Sequence, residues 1–215
     1  MFEGALFDMD GVLVDNLECH AAAFKQLAEE HGVKLTDEQV NSVFGRKTVD
    51  MLSAMLGREI SPEEGRELED RKEVIYRELA QPGIREMMVP GLLTLLADFR
   101  KSGRLMGLAT SGPRENVDLV LDGLGIRPFF SSIVTGDEVS DGKPAPDCFL
   151  LAAERIGLPA SRCLIFEDSI AGIRAALASG GICIALATTH SREEITAVGP
   201  HLVVDDFDEY LEKTR

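Results

Sequence analysis

Apolar residues along the chain follow two different spacings, which predict alternating strands and helices. Short continuous runs rich in Val, Ile, Leu and Phe are typical of strands. They cover residues 4–7, 105–109, 133–135, 163–166 and 182–186. Between them, apolar residues recur at helical spacing over residues 91–102, 114–124, 146–156 and 170–179. This alternation predicts an α/β protein with a doubly wound parallel sheet.

Residues 16–85 interrupt the alternation because they contain helical patterns only. Their apolar faces consist of Leu17, Ala21, Phe24, Leu27 and Ala28 in the first pattern, Val40, Val43 and Phe44 in the second, and Leu68, Ile75 and Leu79 in the third. We therefore predict a helical domain at residues 16–85, inserted into an α/β core made of residues 1–15 and 86–215. Turn residues at 81–83 and 89–91 return the chain to the core.

The balance of charges argues against several classes of partner. With 22 Lys and Arg residues against 37 Asp and Glu residues, the formal net charge is −15, which repels nucleic acid and acidic membranes. An enzyme with this surface needs a local cation if it binds a small anionic substrate. We therefore expect neither a nucleic-acid partner nor a membrane partner.

The cysteines and the N-terminal segment indicate the compartment. The four cysteines show no C-x-x-C spacing and mostly lie inside apolar runs, as buried reduced thiols do. The N-terminal residues do not form a basic region followed by a long apolar stretch, and no apolar run approaches the length of a membrane span. We expect an unprocessed cytoplasmic protein that is a monomer.

Polar residues follow several predicted strands, at the edge where open parallel sheets bind ligands. They are Asp8 and Asp10 after the first run, Thr110 and Ser111 after the second, Glu167 and Asp168 after the fourth, and Lys143 before the helix that leads to the fourth. Taken singly, each has an ordinary explanation as a helix cap, a turn residue or a solvated lysine. Together they place carboxylates, a hydroxyl and an ammonium group around one cleft, which predicts an active site.

The carboxylates suit a magnesium site. Several carboxylates in one place repel one another unless a divalent cation compensates, and an oxygen-only set with phosphate is what Mg²⁺ prefers. Asp8, Asp168 and Glu167 are the candidate ligands. Mg²⁺ is therefore the expected cofactor.

The same residue types suit phosphoryl transfer. A carboxylate such as Asp8 can attack phosphorus to give an acyl phosphate when the phosphoryl oxygens are neutralised, for which Mg²⁺, Lys143 and Thr110 are candidates. Asp10 is placed to protonate the leaving oxygen and later to accept a proton from the incoming nucleophile. The sequence therefore predicts an enzyme that forms a phosphorylated aspartate.

Four segments resemble the motifs of the haloacid dehalogenase-like superfamily. They read FDMDGV at residues 7–12, ATSG at 109–112, GKPAPD at 142–147 and FEDSIAGI at 166–173. Together they span most of the chain. The helical insertion directly after the first motif resembles the cap of the β-phosphoglucomutase-like group of phosphatases and mutases. The resemblance implies a Rossmann-like core whose first strand is central.

The resemblance also implies a role for each core residue. Asp8 is expected to be the nucleophile, and Asp10 the acid and base whose backbone carbonyl also binds the metal. Thr110, Ser111 and Lys143 are expected to bind the transferring phosphoryl group. Glu167 and Asp168 are expected to hold Mg²⁺ directly or through water.

In this family the cap closes over the core and supplies substrate contacts. The candidate substrate residues are His20, Gly45, Arg46, Lys47 and Lys72 in the cap and Arg114 in the core. His20 and Lys72 resemble cap residues of the mutase, although a helix-borne lysine is usually solvated and a histidine is often only partly buried.

Two departures from the mutase favour hydrolysis. The mutase carries an arginine three residues after the cap-loop glycine, where this chain has Thr48, and it carries serine and lysine after its second motif, where this chain has Gly112-Pro113-Arg114. Both changes weaken the binding of a second phosphate group, and a mutase must bind that group to retain its bisphosphate intermediate. We expect a phosphatase for a small phosphorylated metabolite, a sugar phosphate or related compound, with a sugar phosphomutase as the alternative.

Two further classes fit the residues less well. A dehalogenase would use the same nucleophile on carbon, but it needs neither a second acid at Asp10 nor a metal site at Glu167 and Asp168. A binding module without catalysis would be expected to have lost one of the core groups, and all of them are present.

Overall fold

The computed structural model describes residues 2–41 and 48–214. Contacts within the chain divide it into two units, which are Met1–Asp15 with Ile84–Arg215, and Asn16–Gly83. The first unit contains a sheet covered by helices, and the second contains helices. The α/β fold class predicted from the alternation of strand and helix patterns is confirmed.

Within the described residues, six strands form one parallel sheet in the first unit. They are β1 (Gly4–Phe7), β2 (Leu105–Ala109), β3 (Ser132–Val134), β4 (Cys163–Glu167), β5 (Ile182–Leu186) and β6 (Leu202–Val204). Their order across the sheet is β3-β2-β1-β4-β5-β6, so the first strand is central.

The register of the central strands brings their carboxyl ends to one level. Phe7 of β1 lies opposite Leu108 of β2 on one side and Phe166 of β4 on the other. The rings of Phe7 and Phe166 stack with their centroids 4.8 Å apart, which fixes β1 against β4 in the middle of the core. The residues that follow these strands therefore meet at one edge of the sheet.

The second unit consists of helices in its described residues. They are α1 (Leu17–Glu30), α2 (Asp37–Asn41), α3 (Thr48–Leu56) and α4 (Pro62–Ala80). Ser61 caps α4 by accepting a hydrogen bond from the backbone N–H of Glu64, and Pro62 occupies the first helical position, where its missing N–H costs nothing. Phe24 and Leu27 of α1 and Ile75 of α4 are buried, as the helical spacing of apolar residues predicts.

Helices cover both faces of the sheet in the first unit. The remaining helices are α5 (Leu92–Lys101), α6 (Arg114–Leu124), α7 (Asp147–Arg155), α8 (Ile170–Ala178), α9 (Arg192–Val198) and α10 (Phe207–Thr214). Phe7 belongs to one hydrophobic cluster with residues of α5, α6 and α10, whereas its neighbour Leu6 belongs to another with residues of α7, α8 and α9. This division follows from the alternation of side chains along a strand.

Some elements differ from those predicted. β6, α9 and α10 were not predicted. β6 has three residues, two of which are only half-buried, and α9 and α10 have seven and eight residues, too few for a clear helical periodicity. The third strand begins and ends one residue earlier than predicted. Leu79, assigned to a buried face, is 39% exposed, because apolar spacing identifies one face of a helix but not whether a neighbouring element covers all of it.

Candidate active site

Three buried carboxylates meet where β1 and β4 end. Asp8 follows β1, Glu167 is the last residue of β4, and Asp168 follows it. One ligand atom from each of the three lies within 4.8 Å of the others. The pairing of β1 with β4 creates this group, since Phe7 lies opposite Phe166 and the next residues are therefore adjacent.

Lys143 places a buried ammonium group between two of these carboxylates. Its Nζ donates hydrogen bonds to Oδ1 of Asp8 and, over 2.6 Å, to Oε1 of Glu167. Nζ also lies 4.8 Å from the centroid of the Phe149 ring in α7. The side chain of Lys143 is 7% exposed, so water screens this charge only weakly.

Burial and repulsion shift the proton affinities of the group. Burial raises the pKa of Asp8 to about 7, against an opposing effect of Lys143, and the charges of Glu167 and Asp10 raise it as well. Burial, followed by the charges of Glu167 and Asp8, also raises the pKa of Asp168. Burial by itself lowers the pKa of Lys143, but the charges of Asp8 and Glu167 raise it above its usual value.

These shifts make the group fit a divalent cation. One ammonium ion does not offset three carboxylates, and the remaining negative charge adds to burial in raising the pKa values of Asp8 and Asp168. The donors are all oxygens, which suits a hard ion such as Mg²⁺. Asp8, Glu167 and Asp168 are therefore able to hold Mg²⁺.

The start of α8 holds the second oxygen of Glu167. Oε2 accepts hydrogen bonds from the backbone N–H groups of Asp168 and Ser169, both over 2.7 Å, and from Oγ of Ser169 over 3.1 Å. Ser169 is also the N-cap of α8, since its Oγ accepts from the N–H of Gly172 over 3.0 Å. A carboxylate is favoured here because helix N-termini carry partial positive charge.

A different segment holds Asp168. Its Oδ2 accepts a hydrogen bond from Oγ1 of Thr189, and a methyl group added to Gly11 would come within 2.1 Å of the same oxygen. Oγ1 of Thr188 donates to the carbonyl of Gly11 over 2.6 Å. The sequence analysis missed both threonines. The pair follows shortly after the fifth apolar run, and polar residues after a predicted strand were the signal that identified the other site residues.

Asp10 and Thr110 both lie close to Gly112. A methyl group on Gly112 would be 3.4 Å from Oγ1 of Thr110 and 3.8 Å from Oδ2 of Asp10. Thr110 is buried, and its Oγ1 accepts from the N–H of Gly112 over 3.0 Å, which leaves the hydroxyl proton for another acceptor. The side chain of Asp10 is not part of the carboxylate cluster described above.

The loop after β3 packs against the loop that carries Thr110. Thr135 and Glu138 form a capping box, and a methyl group on Gly136 would come within 2.4 Å of the Ser111 carbonyl oxygen. Ser111 is exposed. Arg114 is also exposed, and its guanidinium lies 3.4 Å from Oε2 of Glu138.

A family model for haloacid dehalogenase-like hydrolases matches residues 2–180, which include all four sequence motifs and the carboxylate cluster. The chain belongs to this family. The resemblance found in the motifs is confirmed, and so is the prediction that the protein is an enzyme of this class.

Relatives of this family member include named phosphatases. The validoxylamine A 7'-phosphate phosphatase of Streptomyces hygroscopicus subsp. limoneus is 30% identical over 91% of this chain and 90% of that protein. A phosphorylated carbohydrates phosphatase of Thermotoga maritima is 32% identical over 83% of this chain and 82% of that protein. A longer plant protein, SUPPRESSOR OF QUENCHING 1 of Arabidopsis thaliana, is 32% identical over 94% of this chain, which covers 19% of its length.

The fold of this haloacid dehalogenase-like chain also matches a solved mutase. The β-phosphoglucomutase of Clostridium difficile superposes with a TM-score of 0.84 at 26% identity, over 99% of this chain and 96% of that chain. In the described residues, no helix is long and apolar enough to cross a membrane.

Two of the predicted cap residues, His20 and Lys72, lie in the helical unit. Lys72 is buried, and its Nζ lies 2.8 Å from Nδ1 of His20 and 2.8 Å from Oε1 of Glu73. The His20 ring stacks on the Tyr76 ring at 3.9 Å. An ammonium group only donates, so Nδ1 of His20 is the acceptor.

The remaining predicted cap residues, Gly45, Arg46 and Lys47, lie outside the described residues. Their role in substrate binding stays a prediction, as does that of His20, Lys72 and Arg114.

Proposed function

We propose that this chain is a Mg²⁺-dependent phosphatase that hydrolyses a small phosphorylated metabolite, a sugar phosphate or a related compound, through a phosphorylated Asp8. The observation that supports it most directly is the contact of the Lys143 ammonium with Asp8 and Glu167, beside Asp168. An ammonium and three carboxylates at the adjoining ends of β1 and β4 suit a site that receives both a metal ion and a phosphoryl group.

The metal would be held by Asp8, Asp168 and the backbone carbonyl of Asp10, and by Glu167 either directly or through water. When bound, Mg²⁺ neutralises negative charge on the phosphoryl oxygens. Lys143 contributes a second positive charge on the side of Asp8 and Glu167, and Thr110 contributes a hydroxyl donor.

In the first step, an oxygen of the Asp8 carboxylate forms a bond to phosphorus while the bond between phosphorus and the substrate oxygen breaks. Asp10 gives its proton to that departing oxygen, so that a neutral alcohol leaves and Asp10 becomes a carboxylate. Lys143 keeps Asp8 oriented and favours its ionised form, which is the form that attacks.

In the second step, water attacks the phosphorus of phosphorylated Asp8, and the Asp10 carboxylate takes one of its protons. The bond between phosphorus and Asp8 breaks, which releases inorganic phosphate and restores the Asp8 carboxylate. One pair of carboxyl groups thus serves both halves of the reaction.

The substrate class is proposed from the relatives and from the charge of the site. Two relatives are named as phosphatases of a validoxylamine phosphate and of phosphorylated carbohydrates. The negative field of a chain with net charge −15 restricts anion binding to places with a local cation, which favours a compact phosphate ester over a polyanion.

A sugar phosphomutase is the second candidate. It is supported by the likeness to the β-phosphoglucomutase of Clostridium difficile and by the resemblance of His20 and Lys72 to cap residues of the mutase. In that reaction a sugar hydroxyl, rather than water, would receive the phosphoryl group from Asp8.

The test is release of inorganic phosphate from a panel of sugar phosphates by purified protein with Mg²⁺. D8N should lose activity by at least about 10³-fold because its amide cannot form the acyl phosphate. D118N, an isosteric change at an exposed aspartate of α6, is the matched control and should keep full activity. Full activity in D8N would contradict the mechanism.

The mutase assay separates the two candidates. The protein is given β-glucose 1-phosphate with a bisphosphate primer, and formation of glucose 6-phosphate is followed by a coupled dehydrogenase. Hydrolysis of other esters without turnover here supports the phosphatase, whereas conversion that exceeds phosphate release supports the mutase.

A further inference from the structure

Thr189 lies beside the metal-binding carboxylates although no motif includes it. Ala187 and Thr188 separate it from the end of β5, and its side chain is half-buried. β5 pairs with β4 so that Ala185 lies opposite Glu167. This register carries the residues after β5 along the side of Asp168, where Oγ1 of Thr189 donates to Oδ2 of that carboxylate.

The same oxygen is confined from a second direction. Gly11 turns with φ +72°, and a side-chain methyl there would lie 2.1 Å from Oδ2 of Asp168 and 2.9 Å from Oγ1 of Thr189. The carbonyl of Gly11 is itself held by Oγ1 of Thr188 over 2.6 Å. The adjacent hydroxyl groups of Thr188 and Thr189 therefore hold the Gly11 turn and the Asp168 carboxylate that packs against it.

We propose that Thr189 is a positioning residue for magnesium: it holds Asp168 by Oδ2 and thereby fixes the orientation of a carboxylate that would bind the ion. The inference rests on the proposed Mg²⁺ dependence of the enzyme. Thr188 supports the arrangement by fixing the Gly11 turn.

A neutral donor is suited to this task. A lysine or arginine at position 189 would orient Asp168 equally well, but its charge would repel the cation that the site has to bind. A threonine hydroxyl orients the carboxylate without that repulsion, and its branched side chain has few rotamers. Partners of this kind around metal ligands typically change metal affinity by about 10–100-fold when removed.

The test is magnesium affinity, measured on chelator-treated full-length protein by isothermal titration calorimetry with MgCl₂. We expect T189V, which keeps the shape and removes the hydroxyl, to bind Mg²⁺ about 10–100-fold more weakly than the wild type. T189S retains a hydroxyl and should stay within about threefold of the wild type. T196V is the matched control, because Thr196 is exposed on α9 and its hydroxyl donates to the Arg192 carbonyl.

Melting temperatures without metal separate positioning from a purely structural role. T189V should melt within a few degrees of the wild type without Mg²⁺, but should gain less from added Mg²⁺ at a fixed concentration. If T189V does not fold, T189A is the second hydroxyl-free variant and is judged by the same criteria.

Failure of this inference differs from failure of the proposed function. A wild type that binds Mg²⁺ together with a T189V affinity within about twofold of it would overturn the positioning role alone. T189S binding as weakly as T189V would do the same, because the hydroxyl would then not matter. A wild type that does not bind Mg²⁺ would overturn the proposed metal dependence and this inference with it.

Discussion

Gly172 lies directly against the carboxylate of Glu167. A methyl group on Gly172 would come within 1.7 Å of Oε1 and 2.4 Å of Oε2, so the first turn of α8 has room for this carboxylate only because residue 172 lacks a side chain. Glu167 in turn contacts Lys143, which contacts Asp8. The absence of a side chain at position 172 thus helps to fix Glu167, and through Glu167 the position of the Lys143 ammonium group.

We expect G172A to lose phosphatase activity by about 100-fold or more and to be destabilised by about 1–3 kcal/mol, because the methyl group displaces Glu167. Replacing glycine by alanine inside a helix normally stabilises a protein by about 1 kcal/mol. A loss of stability in G172A would therefore indicate the clash with Glu167. Phosphate release and urea denaturation measure the two effects.

A171G is the control for this substitution. It changes helix propensity at the neighbouring position of α8 in the opposite direction and should cost about 1 kcal/mol while activity is kept. G172A with unchanged activity would show that the position of Glu167 is not important for the reaction.

K143M should be destabilised by about 3–5 kcal/mol in metal-free buffer, since it leaves buried carboxylates without their cation. Activity should fall by about 10²–10³-fold because the substitution removes the positive charge proposed to stabilise the transition state. Urea denaturation and phosphate release are the measurements. K101M, at an exposed lysine of α5, should change both by little, and a K143M protein as stable as the wild type would contradict the role of the buried ammonium.

G136A should lower activity by about 10-fold or more with only a modest loss of stability. The added methyl group would press on the Ser111 carbonyl at 2.4 Å and shift the loop that carries Thr110. G142A lies later in the same stretch, and its methyl would meet nothing within 4 Å, so it should remain close to the wild type. The activities of G136A and G142A are compared by steady-state kinetics on the best ester found in the panel. Equal activities would show that close packing of Gly136 on the Ser111 carbonyl is not important for the reaction.

The stability of the metal-free protein should depend on pH through Asp8. Its pKa is about 7 in the folded state against an ordinary 3.8, so between these values the folded state binds more protons than the unfolded state. The free energy of unfolding therefore falls as pH rises through this range. D8N lacks the titrating group, so we expect its stability relative to the wild type to increase from pH 5 to pH 8.

Denaturation of both proteins at several pH values with a chelator checks this expectation. Added Mg²⁺ should stabilise the wild type more at pH 8 than at pH 5, because the ligands must be deprotonated to bind it. A difference between D8N and the wild type that is constant with pH would argue that Asp8 does not titrate in this range.

The fold class was predictable because apolar runs and helical spacing are local properties. The central strands need continuous apolar residues such as Leu6 and Phe7, since helices cover both faces of the sheet. β6 has neither the length nor the complete burial that makes such a run visible, as Leu202 and Val203 are half-buried. Sequence pattern therefore predicts the middle of this sheet better than its edge.

The groups available for chemistry can be read from the sequence without a structure. They are Asp8, Asp10, Thr110, Lys143 and the Glu167-Asp168 pair, each beside a predicted strand or helix. Which of these groups meet depends on the folded chain, because the lateral order of strands and their register are set by packing between distant segments. The fold brought Lys143 between Asp8 and Glu167, and it placed Thr189 on Asp168 through the pairing of β4 with β5. A threonine after a strand is common in turns, so its chemistry becomes specific only through the carboxylate that the fold places beside it.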